Sequence, residues 1–228
     1  MSGTLSLSLS LSLALSLSLV FVCLSGLWEP ETFKVLYQEV TADVSYVGVG
    51  EWCGVTGLFA GQRAKRTVLV EPDPVAHSEL KMNVKLGMSR GGMSNVDIDT
   101  RCVSSPEQRG KVTMYGNGSS TSSLLPNIPW LEGSQTFDAT CVTLQDLFDQ
   151  YQLSGNVFIK MDIEGAEASV LPTLLSWLSG LETKPSLFIS FHGQANPEQK
   201  RKIAEVFNLY TNFAVLKVIL PFRIRATL

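Results

Sequence analysis

The run VFIKMDIEGAE, from Val157 to Glu167, limits the possible folds more than any other stretch of the chain. Val157, Phe158, Ile159 and Met161 make a short, nearly continuous apolar run, as in a strand buried on both faces of a parallel sheet. Carboxylates then arrive at Asp162, Glu164 and Glu167, with Gly165 at the turn. In open α/β sheets ligands collect beyond the carboxyl ends of the strands. Acids released from a buried strand at that edge stand where chemistry happens. Capping of the next helix, whose first turn favours negative charge, accounts for them equally well.

The flanking sequence supplies the rest of such a sheet. Strands are expected over 44–49, 67–70 and 96–103, with helices over 56–63 and 75–86 between them. Pro72 and Pro74 stop the second strand, and Pro74 suits the first turn of a helix. Further strands are expected over 111–115, 137–142, 157–161, 187–191 and 213–220. Helices are expected over 31–40, 143–151, 166–178 and 197–209, the 143–151 helix opening on a capping-box-like Thr143-x-x-Asp146 and the 166–178 helix broken at Pro172. Strand–helix alternation at this spacing predicts a doubly wound α/β domain with a mostly parallel sheet, the 157–161 strand at its centre. The polar run GNGSSTSS at 116–123 suits a lid over a site or a surface linker.

Composition narrows the partners. With 228 residues, 45% apolar content and a net charge of -3, the chain is one globular domain with an appendage. It has no Lys/Arg block, so no nucleic-acid partner is expected. Cys23, Cys53, Cys102 and Cys141 are scattered without a C-x-x-C, which predicts neither a metal site nor a disulfide framework. The appendage is 1–27, uncharged and built on Ser-Leu alternation; the folded domain is 28–228. A membrane partner is expected through this segment, as a signal peptide or an uncleaved anchor. No Lys or Arg precedes Lys34, so the usual positive flank is missing. A low-complexity extension on a cytoplasmic protein, or a misplaced start, is the other reading. Either way, 1–27 is expected to make no packed contact with the domain.

The first turn carries Gly48-x-Gly50-x-x-x-Gly54, one residue longer than a dinucleotide fingerprint, with Cys53 where that pattern needs glycine. This disfavours a nicotinamide-dependent oxidoreductase but keeps a tight strand-to-helix turn. Glu71 ends the next strand, where a carboxylate can hold ribose hydroxyls.

Taken in order, YVGVGEWCG from Tyr46 to Gly54, VEPDP from Val70 to Pro74, TLQDL from Thr143 to Leu147 and IKMDIEGAE from Ile159 to Glu167 resemble the FkbM methyltransferases. The resemblance covers most of the folded chain, and Lys-x-Asp-x-Glu-Gly-x-Glu is its most specific part. It implies a Rossmann-like class I methyltransferase fold, here expected to lack the final strand. It also implies S-adenosylmethionine as cofactor and a hydroxyl on a sugar or secondary metabolite as acceptor, hence a small-molecule or glycan partner. Carried over residue by residue, it puts Gly48, Gly50 and Gly54 in the cofactor turn, Glu71 on the ribose, and Cys102 and Val103 near the adenine. Asp162 stands beside the cofactor and, with Glu164 and His192, forms the catalytic group.

One position departs from the family. Gly48 stands where the pattern has an acid that helps bind the cofactor's amino group. Glu51 is the candidate substitute, provided its carboxylate turns inward; the rarity of unpaired buried charge favours solvent instead. On this reading Gly48→Asp strengthens cofactor binding. A weakened or inactive copy serving as a binding protein is the alternative function. Lys160 is expected to pair with Glu164 or Glu167, and Trp52, Trp130 and Trp177 to be core or lid residues.

Overall fold

The computed structural model describes residues 29–89, 91, 93–126, 135–192 and 195–210. The 1–27 segment and the 213–220 strand lie outside the described residues, as does any question of a missing final strand. Among the described residues no helix is long and apolar enough to cross a membrane. Helix α1 (Pro30–Glu39) belongs to an N-terminal unit ending at Gln38, distinct from the one that follows. In it Thr32 Oγ1 donates to the Glu29 carboxylate at 2.9 Å.

The second unit is built on β1 (Ser45–Val49), α2 (Val55–Gly61), β2 (Arg66–Val70), α3 (Pro74–Ser89) and β3 (Val96–Asp99). Then come β4 (Cys102–Val103), β5 (Gly110–Gly116), β6 (Gln135–Val142), α4 (Leu144–Tyr151) and β7 (Val157–Met161). A broken helix follows as α5 (Glu167–Val170), one 3₁₀ turn (Leu171–Thr173) and α6 (Leu174–Gly180), then β8 (Ser186–Ile189) and α7 (Pro197–Phe207). Pro172 lies in the 3₁₀ turn, where its missing N–H interrupts the helix as expected.

The main sheet has five parallel strands in the order β3-β2-β1-β7-β8. The fold is the doubly wound α/β class expected from the sequence. β7 is buried along its whole length and lies inside the sheet, but β1 holds the middle of these five. Chain order reverses between β1 and β7, and crevices for ligands open at such a switch point. The core beneath includes Val47, Val68, Leu147, Ile159, Met161, Leu171 and Leu178, all fully buried.

Two expectations are corrected here. The single strand over 96–103 is in fact β3 and β4, which belong to different sheets. Between them the Asp99 carboxylate accepts from the Arg101 backbone N–H at 2.9 Å and from its guanidinium, folding the chain out of the main sheet. The second sheet has the order β4-β6-β5, with β4 parallel and β5 antiparallel to β6. The expectation of no disulfide also fails, because Cys102 and Cys141 are register partners on β4 and β6 and are bonded to each other. Their 39-residue separation hid a pairing that only the sheet creates.

Candidate active site

Where β1 and β7 leave the sheet their turns almost touch. Gly50 has φ +79°, and a Cβ there would lie 1.8 Å from the Asp162 carbonyl oxygen. Only glycine fits such an approach. The turn is pinned by the Gly50 and Glu51 N–H groups on the Val70 carbonyl, and Asp162 N–H reaches the Val49 carbonyl at 2.9 Å. Glu71 ends β2 beside them. Its carboxylate accepts from Trp52 N–H at 2.8 Å and Asp73 N–H at 2.9 Å, one bond on each oxygen. A carboxylate has about four acceptor positions, so two remain for hydroxyls. Burial pushes its pKa up to about 7, against the pull of those N–H groups.

The crevice is a cavity of about 40 Å³. Of the residues read from sequence, Gly50, Glu71, Cys102, Val103 and Asp162 line it. Cys102 and Val103 reach it from β4 of the second sheet, not from the end of a third main-sheet strand. Trp52, expected as a core or lid residue, also lines it, as do Ser119, Ser120 and Ser122 of the 116–123 run; Pro72, Met114 and Leu124 line it without a sequence signal for the site.

Gly48, Glu51, Gly54, Glu164 and His192 are not among the lining residues. Gly54 starts α2 at φ +90°, and a Cβ there would lie 2.4 Å from Leu80 Cδ1, so it serves the packing of α2 on α3. Glu51 does turn inward, against the expectation of solvent, and is 4% exposed. Its carboxylate accepts from Tyr46 Oη at 2.8 Å, Gly57 N–H at 2.8 Å and Thr56 Oγ1 at 3.2 Å. It lies so close to Gly48 that a Cβ on residue 48 would be 1.7 Å from Glu51 Oε1. The loop acid occupies the place of a side chain at 48. The geometry therefore reverses the expectation for Gly48→Asp, which brings two carboxylates into one space.

The second group of acids is organised by charge. Asp162 accepts from Lys160 Nζ at 3.2 Å on one oxygen and contacts His192 Nε2 at 2.9 Å on the other. Lys160 thus pairs with Asp162, two residues on and just beyond the end of β7. His192 Nδ1 lies 3.8 Å from Glu164 Oε2. Burial raises the Asp162 carboxyl, but the Lys160 ammonium and His192 overcome it and hold the pKa at about 2. The hydrogen bond to Asp162, reinforced by Glu164, lifts His192 to about 9 against its own burial. At neutral pH this is an imidazolium between carboxylates.

Glu167, fully buried, shapes the turn. It accepts from Ile163 N–H at 2.8 Å and Gly165 N–H at 2.9 Å, while Glu164 takes the left-handed φ of +50°. Asp162, Glu164 and His192 bring one donor atom each within 4.8 Å of the others, a spacing a cation could use, but Lys160 already answers the free Asp162 oxygen. Trp177 packs edge-on against Phe148 at 4.8 Å in the core; Trp130 lies outside the described residues.

With this geometry established, comparison places the chain among known proteins. A family model described as Methyltransferase FkbM domain matches residues 40–214. No match is found among curated proteins. A solved structure, the crystal structure of Methyltransferase FkbM from Methylobacillus flagellatus KT, is similar at 19% identity and a TM-score of 0.45. The match covers 74% of this chain and 38% of that one.

Proposed function

Because the chain belongs to the FkbM methyltransferase family, we propose that it transfers a methyl group from S-adenosylmethionine to a hydroxyl of a small molecule or glycan. The observation that carries the reading is Glu71: a buried carboxylate at the end of β2, held by two backbone N–H groups, with two acceptor positions left, lining the crevice. A vicinal diol of ribose matches those positions. The Gly50 turn lines the crevice beside it, and Cys102 and Val103 supply an apolar wall for a base.

A methyl on positively charged sulfur is the chemistry this cofactor supplies when bound. The protein must then orient the acceptor and take the hydroxyl proton. Asp162 places fixed negative charge at the crevice and orients the His192 ring through Nε2. His192 is the proton acceptor of this reading, and Glu164 steadies the charge it gains. Since its pKa is about 9, only the neutral imidazole can act, and turnover rises with pH until about 9. A decayed, non-catalytic copy is the second reading, because Glu51 fills the space of a side chain at 48 but its carboxylate is engaged by Tyr46, Thr56 and Gly57 and does not line the crevice.

Calorimetry with S-adenosylmethionine on the full chain, followed by labelled-methyl transfer to a panel of sugars and small alcohols, tests both halves. Absence of binding rejects the enzyme. Binding without transfer to any hydroxyl rejects the acceptor class.

A further inference from the structure

The serine-rich loop between β5 and β6 is fastened to the cofactor side of the crevice by two side chains, Asp73 and Trp52. Asp73 caps α3 with one oxygen, accepting from Val75 N–H at 2.8 Å and Ala76 N–H at 3.2 Å. Its other oxygen accepts from Gly118 N–H at 3.0 Å and Ser122 Oγ at 2.6 Å. Trp52 adds a second fastening, its indole N–H on the Gly118 carbonyl at 2.9 Å. The far end of the loop is fixed differently. Ser123, fully buried, pairs with Tyr115 through two backbone bonds and donates to the Glu164 carbonyl at 2.7 Å.

With these bonds made, the cavity of about 40 Å³ holds a few waters. Pockets for drug-sized ligands measure roughly 300–1,000 Å³. A nucleoside therefore cannot load until part of the wall moves. The Ser123 end is tied to the β7 turn, whereas the 117–122 tip is held by bonds from Asp73 and Trp52 alone among the contacts named.

We propose that residues 117–122 form a lid over the cofactor, hinged at Ser123, and that Asp73 is the positioning residue that latches it. The proposal rests on the S-adenosylmethionine reading above. Asp73 reaches lid and helix with different oxygens, so the two roles separate by side-chain length. Asp73→Ser keeps a good helix N-cap, but its hydroxyl is too short to reach Gly118 and Ser122.

The test measures S-adenosylmethionine dissociation by stopped flow, and amide hydrogen exchange of the cofactor-free lid, in the full chain. For Asp73→Ser we expect dissociation roughly 10- to 100-fold faster, the range set by loss of a charged hydrogen bond. Gly118 N–H should lose its protection while the melting midpoint stays near that of the unaltered chain. Ser122→Ala and Trp52→Phe, which leave the cap untouched, should each speed dissociation severalfold and keep the proposal testable should Asp73→Ser misfold. Dissociation and exchange unchanged in the variants that fold overturn the latch and leave the cofactor reading standing. No binding by the unaltered chain overturns that reading and the lid with it.

Discussion

Two acid-bearing turns face each other across the crevice, and they are held by opposite means. On the β1–β2 side, Glu51 and Glu71 are buried against neutral donors: backbone N–H groups and hydroxyls. On the β7–β8 side, Asp162 is held by an ammonium and an imidazolium. Around Glu71 the burial outweighs the downward pull of its two backbone N–H donors, and its carboxyl rises to about 7. Charged partners tie the proton affinities together, which is why Asp162 falls to about 2 as His192 climbs to about 9. One side is built to hold shape and the other to hold charge.

The sharpest way to break this contrast is Asp162→Ala. Removing one member of a buried ionic group leaves Lys160 and His192 without their shared anion, at a cost of about 3–5 kcal/mol in denaturant melts. The His192 pKa should fall toward 6.5, which an NMR titration of the ring protons reads directly. An unmoved pKa would mean that Asp162 does not set it. The pH dependence follows with its sign. The stability His192 contributes is complete below 6.5 and is lost as pH rises through about 9. That of Asp162 is present above 3.8 and is lost as pH falls through about 2.

On the neutral side, Gly48→Asp should cost about 2–3 kcal/mol by overpacking, since its Cβ falls 1.7 Å from Glu51 Oε1. Adding Glu51→Ala should recover most of that loss. Two additive penalties in the double variant would show that the acids do not compete for one place. A smaller effect is expected at Glu71. Cofactor affinity should rise about tenfold as pH increases through about 7, where the carboxyl ionises and offers its remaining acceptor positions. Calorimetry from pH 5.5 to 8.5 would show a flat profile if Glu71 plays no part. Smallest is Tyr46→Phe, which removes one of the Glu51 donors and should lower stability by about 1 kcal/mol.

The same contrast explains what could be read from the sequence. β1, β2 and β7, the Thr143 capping box and the break at Pro172 are local: apolar runs, a cap and a missing N–H announce themselves within a few residues. So did Glu71 and Asp162, because strand ends place them. β5 and β6 were legible as strands, but β4 and the separate sheet it joins were not, since β4 is two residues long and gains its identity from a partner strand about forty positions on. Nor was the inward turn of Glu51, which depends on Tyr46, Thr56 and Gly57 converging from a strand and a helix. Asp73 carried a local signal in its Glu-Pro-Asp-Pro setting, but that signal reports only the cap. Its hold on Gly118 spans 45 residues.

The bond between Cys102 and Cys141 has a consequence of another kind. It closes a covalent ring over β5, the serine loop and β6 as far as Cys141, the two cysteines being 39 residues apart in the chain. Closing a ring of that size removes unfolded-chain freedom equivalent to roughly 4 kcal/mol in the chain-entropy view. The small sheet that carries the serine loop is thus reinforced mainly by what its disordered form is forbidden to explore. A chain synthesised where thiols stay reduced would have the same sequence and lack that constraint, and this small sheet would be the first part to come apart on warming.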